Sequence, residues 1–474
     1  MEKNNNELNQ KIIEADINKS ILAMDKLFHI GQSFDVLKKE MYVSDKKAAL
    51  YYINGMVKED LLEKLQEFFL NIKSEEMPKD SSSFEQEKLP FIEVDLANDK
   101  ESIEYAFLSG VAILIIDGYN DAFLIDARTY PARSVSEPAK YKVLRGSRDG
   151  FVETLVQNTA LIRRRIRSTD YRCEMMKTGE SSQTDIALCY MESRVDKKLL
   201  EDIKRKIKNI ETDSLTLSQE SLAECIFRGS YLNPFPKFRY TERPDTTAAS
   251  ILEGQIAIMV DTSPAAIILP TTIFDVIEEA DDYYFPPVTG TYLRISRVLI
   301  NLISLLLTPL FLLWTNNPEL VPEPLAFTII TEQSQIPIFW QLIILELSID
   351  GLKLAAVNTP TMLNTPLSLI AAVIIGEFAV NSGWFLPQSM LYMAVAAIAN
   401  FTHENYEFAY ALKFCRIIML ILINFWSVTG LIVGLLIIML LIAFNKTLTN
   451  TSYIYPLYPL DLHKLWQRFV RIRK

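Results

Sequence analysis

The sequence predicts an α/β cytoplasmic domain, made of two related subdomains with β-hairpins, followed by an α-helical multi-pass membrane domain. Three observations carry this. Charge divides the chain: Thr291–Lys474 holds 11 Lys and Arg against 9 Asp and Glu, out of 48 against 58 in the whole, so residues 1–290 keep 37 against 49, a net of −12. One hairpin pattern occurs twice. Long apolar runs occur only after residue 290.

Element by element, residues 7–72 read as helices, because Leu50, Ile53, Val57, Leu61, Leu62, Leu65, Phe68 and Phe69 recur at helical spacing among charged residues. KSEEMPKDSSSFEQEK (Lys73–Lys88) is polar and serine-rich and reads as a linker or exposed loop. In SGVAILIIDGYNDAFLIDART, two β-rich runs flank Asp117-Gly118-Tyr119-Asn120-Asp121, the composition of a hairpin turn. EGQIAIMVDTSPAAIILPTT has the same design. An offset of 144 places Leu108 on Leu252, Gly110 on Gly254, Asp117 on Asp261 and Ala122 on Ala266. Between the hairpins, Phe151–Ile166 reads as a helix ending in Arg163-Arg164-Arg165, Ile186–Met191 as a strand, and Lys197–Ile210 as an amphipathic helix. The arginine run suits a solvated, salt-bridged face, or an anion site. NPFPKFRYTER (Asn233–Arg243) reads as an extended connector, and the soluble part ends near Tyr283-Tyr284.

In the second half, VLINLISLLLTPLFLLWT is long enough to span a bilayer, with Pro309 as a kink site. Ile336–Ala356, Pro366–Phe385 and Ser389–Phe401 follow. The block Phe414–Phe444 is ~46 Å long as a straight helix, beyond a ~30 Å hydrocarbon core. It must tilt, kink at Gly430 or Gly434, or fold into a tight pair. Lys413 and Arg416 flank its start, and a basic tail runs from Lys464 to Lys474. The resulting divisions are 1–90 (helical region and linker), 91–232 and 233–290 (the two α/β subdomains), 291–445 (transmembrane) and 446–474 (basic cytoplasmic tail). The first twenty residues have no secretory apolar core, and the tail obeys the positive-inside rule. Both termini are therefore expected on the cytoplasmic side, with four crossings.

The candidate site lies in Ile336–Thr402. Glu346, Asp350 and Lys353 share one helical face, and Glu377 and Asn381 share another. With Asn400, these are the candidate ion-path residues, and Lys353 is the candidate structural pair. A charge at membrane depth costs at least ~2.5 kcal/mol and faces a bundle interior or a watery cavity. Interfacial helices that keep these groups among headgroups remain the bland alternative.

Excluded classes are as informative. An acidic soluble half argues against nucleic acid. No P-loop, GxGxxG, HExxH or GxSxG occurs, and the three histidines (His29, His403, His463) form no triad spacing. Cys173, Cys189, Cys225 and Cys415 form no CxxC pair, so no metal site or disulfide framework is indicated. No enzyme, cofactor or metal is expected.

Four ordered blocks resemble a known family. RGSRDGFVETLVQNTALIRRRI (Arg145–Ile166), NPFPKFRYTERPD (Asn233–Asp245), LEGQIAIMVDTSP (Leu252–Pro264) and DDYY (Asp281–Tyr284) look like the signature blocks of the GerA-type spore germination A-subunits. LELSIDGLKLAAVNTP and GEFAVNSGWFLPQSMLYMAVAAIANFT look closest to its stage V sporulation protein AF branch. Nutrient receptors of the family carry a segment rich in Arg, Glu and Gly where this chain has Asp350-Gly351-Leu352-Lys353-Leu354. The resemblance implies a core-facing domain of two α/β subdomains and a multi-pass domain in the inner spore membrane. It also implies a homo-oligomeric, pentameric cation channel whose partners are its own copies, other spore membrane proteins, membrane lipid and monovalent cations. A solute transporter and a non-conducting scaffold for dipicolinate or receptor complexes stand as alternatives.

Overall fold

The computed structural model describes residues 11–89, 93–129, 145–227, 233–328, 330, 334–360, 378–445, 447–448 and 452–471. It divides into two units, Met1–Arg228 with Phe238–Pro270, and Gly229–Lys237 with Thr271–Lys474.

The first unit is one design built twice. The first copy runs α1 (Ile17–Phe28), β1 (Val36–Val43), β2 (Lys46–Ile53), α2 (Glu59–Leu70), α3 (Ser81–Lys88), β3 (Val94–Ala97), α4 (Lys100–Leu108), β4 (Ala112–Ile116) and β5 (Ala122–Ile125). The second runs α5 (Leu155–Arg165), β6 (Tyr171–Thr178), β7 (Thr184–Met191), α6 (Lys197–Lys208), α7 (Gln219–Ile226), β8 (Arg239–Thr241), α8 (Pro244–Leu252), β9 (Ile256–Val260) and β10 (Ala266–Leu269). The strand orders match, β1-β2-β4-β5-β3 and β6-β7-β9-β10-β8, with antiparallel neighbours throughout. The offset of 144 carries α4, β4 and β5 onto α8, β9 and β10 residue for residue, and an offset of 138 carries β2, α2 and α3 onto β7, α6 and α7. One hydrogen bond repeats with them. The turn carboxylate Asp117 accepts from the Ile17 amide at 3.2 Å, and Asp261 accepts from the Leu155 amide at 3.2 Å. Each hairpin turn thus satisfies an orphan donor at the first turn of a helix.

Every residue of β4 and β9 is buried, as central strands between helices require. On the first sheet, α1 and α4 cover one face with Ile21, Phe28 and Phe107, and α2 and α3 cover the other with Leu65, Phe69 and Phe84. The helical reading of residues 7–72 therefore needs correction. Residues 36–53 form the β1–β2 hairpin, and the first sheet takes two strands from the segment assigned to a helical region. β2 is apolar on both faces, and such a continuous run has no period to separate strand from helix. The serine-rich linker is also partly helical: Asp80 caps α3 and Phe84 is buried in the core.

The arginine run is not a solvated face. Arg163 is fully buried and binds Asp35 through Nε (2.8 Å) and Nη2 (2.9 Å), with its guanidinium 4.2 Å from the Tyr171 ring centre. Arg165 pairs with Asp149, and Arg164 is exposed. Asp35 immediately precedes β1 of the first sheet, whereas Arg163 lies in the last turn of a helix of the second. Phe34 N–H donates to Cys173 O at 2.9 Å, so residues 33–35 lie along β6 and join the two repeats. Cys173 and Cys189 face each other across β6 and β7, free and buried.

In the second unit, α9 (Ile273–Ile277) and α10 (Asp281–Tyr284) lead into α11 (Pro287–Asn316). Then come α12 (Ile338–Asn358), the turn α13 (Ala379–Asn381), α14 (Pro387–Phe401), α15 (Tyr406–Ala443) and α16 (Leu462–Phe469). Two of these, α11 and α15, are long and apolar enough to cross a membrane. α15 is broken at Ser427, whose φ is 52°. A Cβ on Gly430 would lie 2.1 Å from the carbonyl oxygen of Leu422, eight residues back. Residues that far apart on one straight helix are separated by ~12 Å. The chain therefore doubles back at Ser427, which realises the tight pair among the sequence options. Asn317 Nδ2 donates to Ser427 Oγ at 2.7 Å beside the turn. At the other end, Asn233 Nδ2 donates to Leu441 O at 2.8 Å, which ties the connector to this unit.

The first unit ends at Pro270, ahead of the boundary expected near Tyr283-Tyr284, because residues 271–284 belong with the helices. Their carboxylates explain it. Asp282, fully buried, receives Arg297 at 2.9 and 3.0 Å, and Glu278 receives Arg294 at 2.9 Å and Arg468 at 2.5 Å. Gly290 permits this approach, since a Cβ there would meet Asp282 O at 2.4 Å and Arg471 Cδ at 2.9 Å. Gly290→Ala is expected to cost about 1–3 kcal/mol through overpacking, read as a lower melting midpoint of the detergent-purified protein.

Candidate functional site

The charged face of α12 is buried against α11 and α15. Glu346 is 2 % exposed and accepts from Arg416 Nε at 2.5 Å and from Lys413 Nζ at 3.3 Å. Lys413 also pairs with Asp350 and donates to the Glu346 carbonyl at 3.2 Å. Arg416 continues to Ser304 on α11, reaching its carbonyl at 2.5 Å and its Oγ at 3.3 Å. Two carboxylates and two cations form a closed network of zero formal charge that joins three helices. Such closure is what burial demands, because an unpaired ion there costs several kcal/mol. Ser304 lies near the middle of the thirty-residue α11.

α12 is pinned at its start too. Gln341, fully buried, donates to Ser334 Oγ (2.9 Å) and Ile336 O (2.7 Å) and accepts from the Leu386 amide (3.0 Å). The face turned away from the network is open: Ile344 and Leu347 are exposed, and nothing lies within 4 Å of a Cβ built on Gly351.

Of the sequence candidates, Glu346 and Asp350 come together in this network. The cations that meet them are Lys413 and Arg416; the Nζ of Lys353 lies 4.6 and 4.8 Å from the ring centres of Tyr406 and Tyr410. Asn381 is exposed on α13. Asn400 is half-buried on α14, and its Oδ1 has no hydrogen-bond partner among the described residues. Glu377 lies outside the described residues. Lys413 and Arg416 read in the sequence only as flanks of an apolar block. Their i, i+3 spacing puts them on one face, matching Glu346 and Asp350 at i, i+4, and that was the available signal.

A second charged cluster closes the N-terminal end of α11. Burial pushes the Glu279 carboxyl up to about 7, against the opposing pull of Arg297 at 2.8 Å and with a further push from Asp282. Its folded-state value exceeds the unfolded one, so its contribution to stability is fully present below about 4.5 and is lost as pH rises through about 7. Melting midpoints of the purified protein are expected to fall across that window, and Glu279→Gln should flatten the fall.

The model of the Bacillus/Clostridium GerA spore germination protein family matches residues 24–474. The chain belongs to the GerA spore germination family. Stage V sporulation protein AF of Bacillus subtilis is 39 % identical over 446 residues, covering 94 % of this chain and 90 % of that one. Spore germination protein KA of the same organism is 28 % identical, covering 94 % and 83 %. Among solved structures, the N-terminal domain of the A subunit of the Bacillus megaterium spore germinant receptor GerK3 aligns with a TM-score of 0.40 at 23 % identity, over 55 % of this chain and 96 % of that one. Membership accounts for the signature blocks and associates the apolar half with a membrane.

Proposed function

We propose that this GerA-family chain is a subunit of a homo-oligomeric, pentameric cation-conducting channel in the inner spore membrane, with several crossings and both termini on the core side. The observation that carries this reading is the division of α12 into two faces. The charge network clamps one face to α11 and α15, while Ile344, Leu347 and Gly351 leave the other open to neighbouring copies. A rigidly held helix with a bare face can line a shared path. Asp350 is 30 % exposed at the edge of the two faces. Repeated around a ring, the further acid of this segment, Glu377, with Asn381 four residues on, would concentrate cations beside the neutralised Asp350. Single-channel recording of the purified protein in planar bilayers tests this, with a mass measurement in mild detergent for the ring. Cation currents from a closed oligomer are expected.

One observation favours a second reading, a non-conducting scaffold. Glu346 is fully neutralised inside its own subunit, so it adds no negative potential to a path. Assembled rings without current would decide for the scaffold.

A further inference from the structure

We propose that α16 and the coil before it form an interfacial lipid-binding element, seated on anionic phospholipid headgroups on the side of the membrane where α11 begins. The proposal rests on α11 crossing the membrane and is independent of conduction.

α16 places Leu462, Leu465, Trp466 and Phe469 at i, i+3, i+4 and i+7, a single apolar stripe. Only part of that stripe is used by the protein. Phe469 meets the Phe274 ring edge-on at 6.2 Å, whereas Leu462 and Trp466 are 70 % and 60 % exposed. Tyr458 and Leu460 extend the exposed surface. The helix is nonetheless firmly held. Arg468 binds Asp275 at 2.7 Å as well as Glu278, Gln467 O accepts from Arg294 at 2.7 Å, and the Arg471 amide donates to Thr291 Oγ1 at 3.1 Å. A rigidly docked element that leaves Trp and Leu in water would be a poor solution for a soluble surface.

Depth identifies the occupant. Arg294 precedes the apolar run that opens at Val298 by four residues, or ~6 Å along the axis. Headgroup regions add roughly 5–7 Å to each side of a ~30 Å hydrocarbon core. Gln467, held at Arg294, therefore lies at headgroup level. Arg471 is held at Thr291, farther out, so the chain approaches the apolar run in the direction of Trp466 and Leu462. That is the level at which Trp and Tyr are enriched. The charge fits as well. Arg468 is occupied by protein carboxylates, but Lys464 is exposed. Basic groups beside a membrane are drawn toward an anionic leaflet, and the apolar stripe supplies insertion.

The test uses the full chain in lipid nanodiscs. The emission of Trp466 is taken as the difference between wild type and Trp466→Phe. Lipids brominated near the glycerol are compared with lipids brominated at the chain ends, in phosphatidylcholine with and without phosphatidylglycerol. The expected result is greater loss of emission from shallow than from deep bromine, with a blue shift and deeper quenching when phosphatidylglycerol is added. Lys464→Glu should remove the phosphatidylglycerol effect and leave quenching in neutral lipid. Emission untouched by bromine and quenched by aqueous iodide would overturn the proposal. So would emission shielded from both, which would mean that another copy of the chain covers the face. Failure of the protein to enter discs would overturn the membrane reading itself, whereas loss of current with normal Trp466 quenching would count only against the channel.

Discussion

Glu346→Gln is expected to lower the amount of folded, monodisperse protein, with a loss of about 3–5 kcal/mol of stability, the range for breaking a buried pair from one side. The substitution leaves Lys413 and Arg416 buried with only Asp350 to balance them. Total stabilities of about 5–15 kcal/mol make such a loss visible as a large drop in melting midpoint in mild detergent. Two companions make the expectation specific. Glu346→Gln with Arg416→Gln restores neutrality and should recover part of the loss, giving a coupling energy of about 0.5–3 kcal/mol in a double-mutant cycle. Asp350→Asn acts on a partly exposed carboxylate and should cost much less. A Glu346→Gln protein that assembles normally but conducts less would instead place this acid on the ion path and count against a structural role.

What the sequence disclosed follows from the range of the forces involved. The β4–β5 and β9–β10 hairpins were legible because each is local, with turn residues between two apolar runs, and because the repeat places Asp117 and Asp261 in the same role. The β1–β2 hairpin was not, since β2 is buried on both faces and its apolar run carries no strand period. In the membrane half, the shared face of Glu346 and Asp350 follows from helical spacing alone. Their partners lie about seventy residues on, and the i, i+3 spacing of Lys413 and Arg416 marks a shared face without naming the carboxylates it meets. The reversal at Ser427 could be read only as one of three options, because an apolar block of that length has several physical solutions and the chain chooses by packing Gly430 against Leu422. The carboxylates of residues 275–282 looked like the end of an acidic soluble domain; their cations, Arg294, Arg297 and Arg468, lie on two other helices.

Arg163→Leu should destabilise the first unit by about 3–5 kcal/mol, the range for breaking a buried pair from one side. Arg163 and Asp35 are both almost wholly buried, and their two parallel hydrogen bonds join the two repeats. Removing the guanidinium strands the Asp35 carboxylate, which must either stay charged in an apolar site or take up a proton. It also removes the cation from the Tyr171 ring. Lysine is a poor substitute, because an ammonium cannot reproduce the fork that meets both carboxylate oxygens; Arg163→Lys should recover less than half of the loss. The neighbouring Arg164 is the control. It is exposed, and Arg164→Ala should change stability by no more than about 1 kcal/mol, as surface pairs do. Thermal melts of the full chain followed by circular dichroism read all three variants. Because the pair joins the repeats, the Arg163→Leu protein should also expose the segment around Ser33–Asp35 to protease before global melting. Equal midpoints for Arg163→Leu and Arg164→Ala would show that the two repeats are held together by their apolar contacts alone, with Asp35 and Arg163 merely tolerated between them.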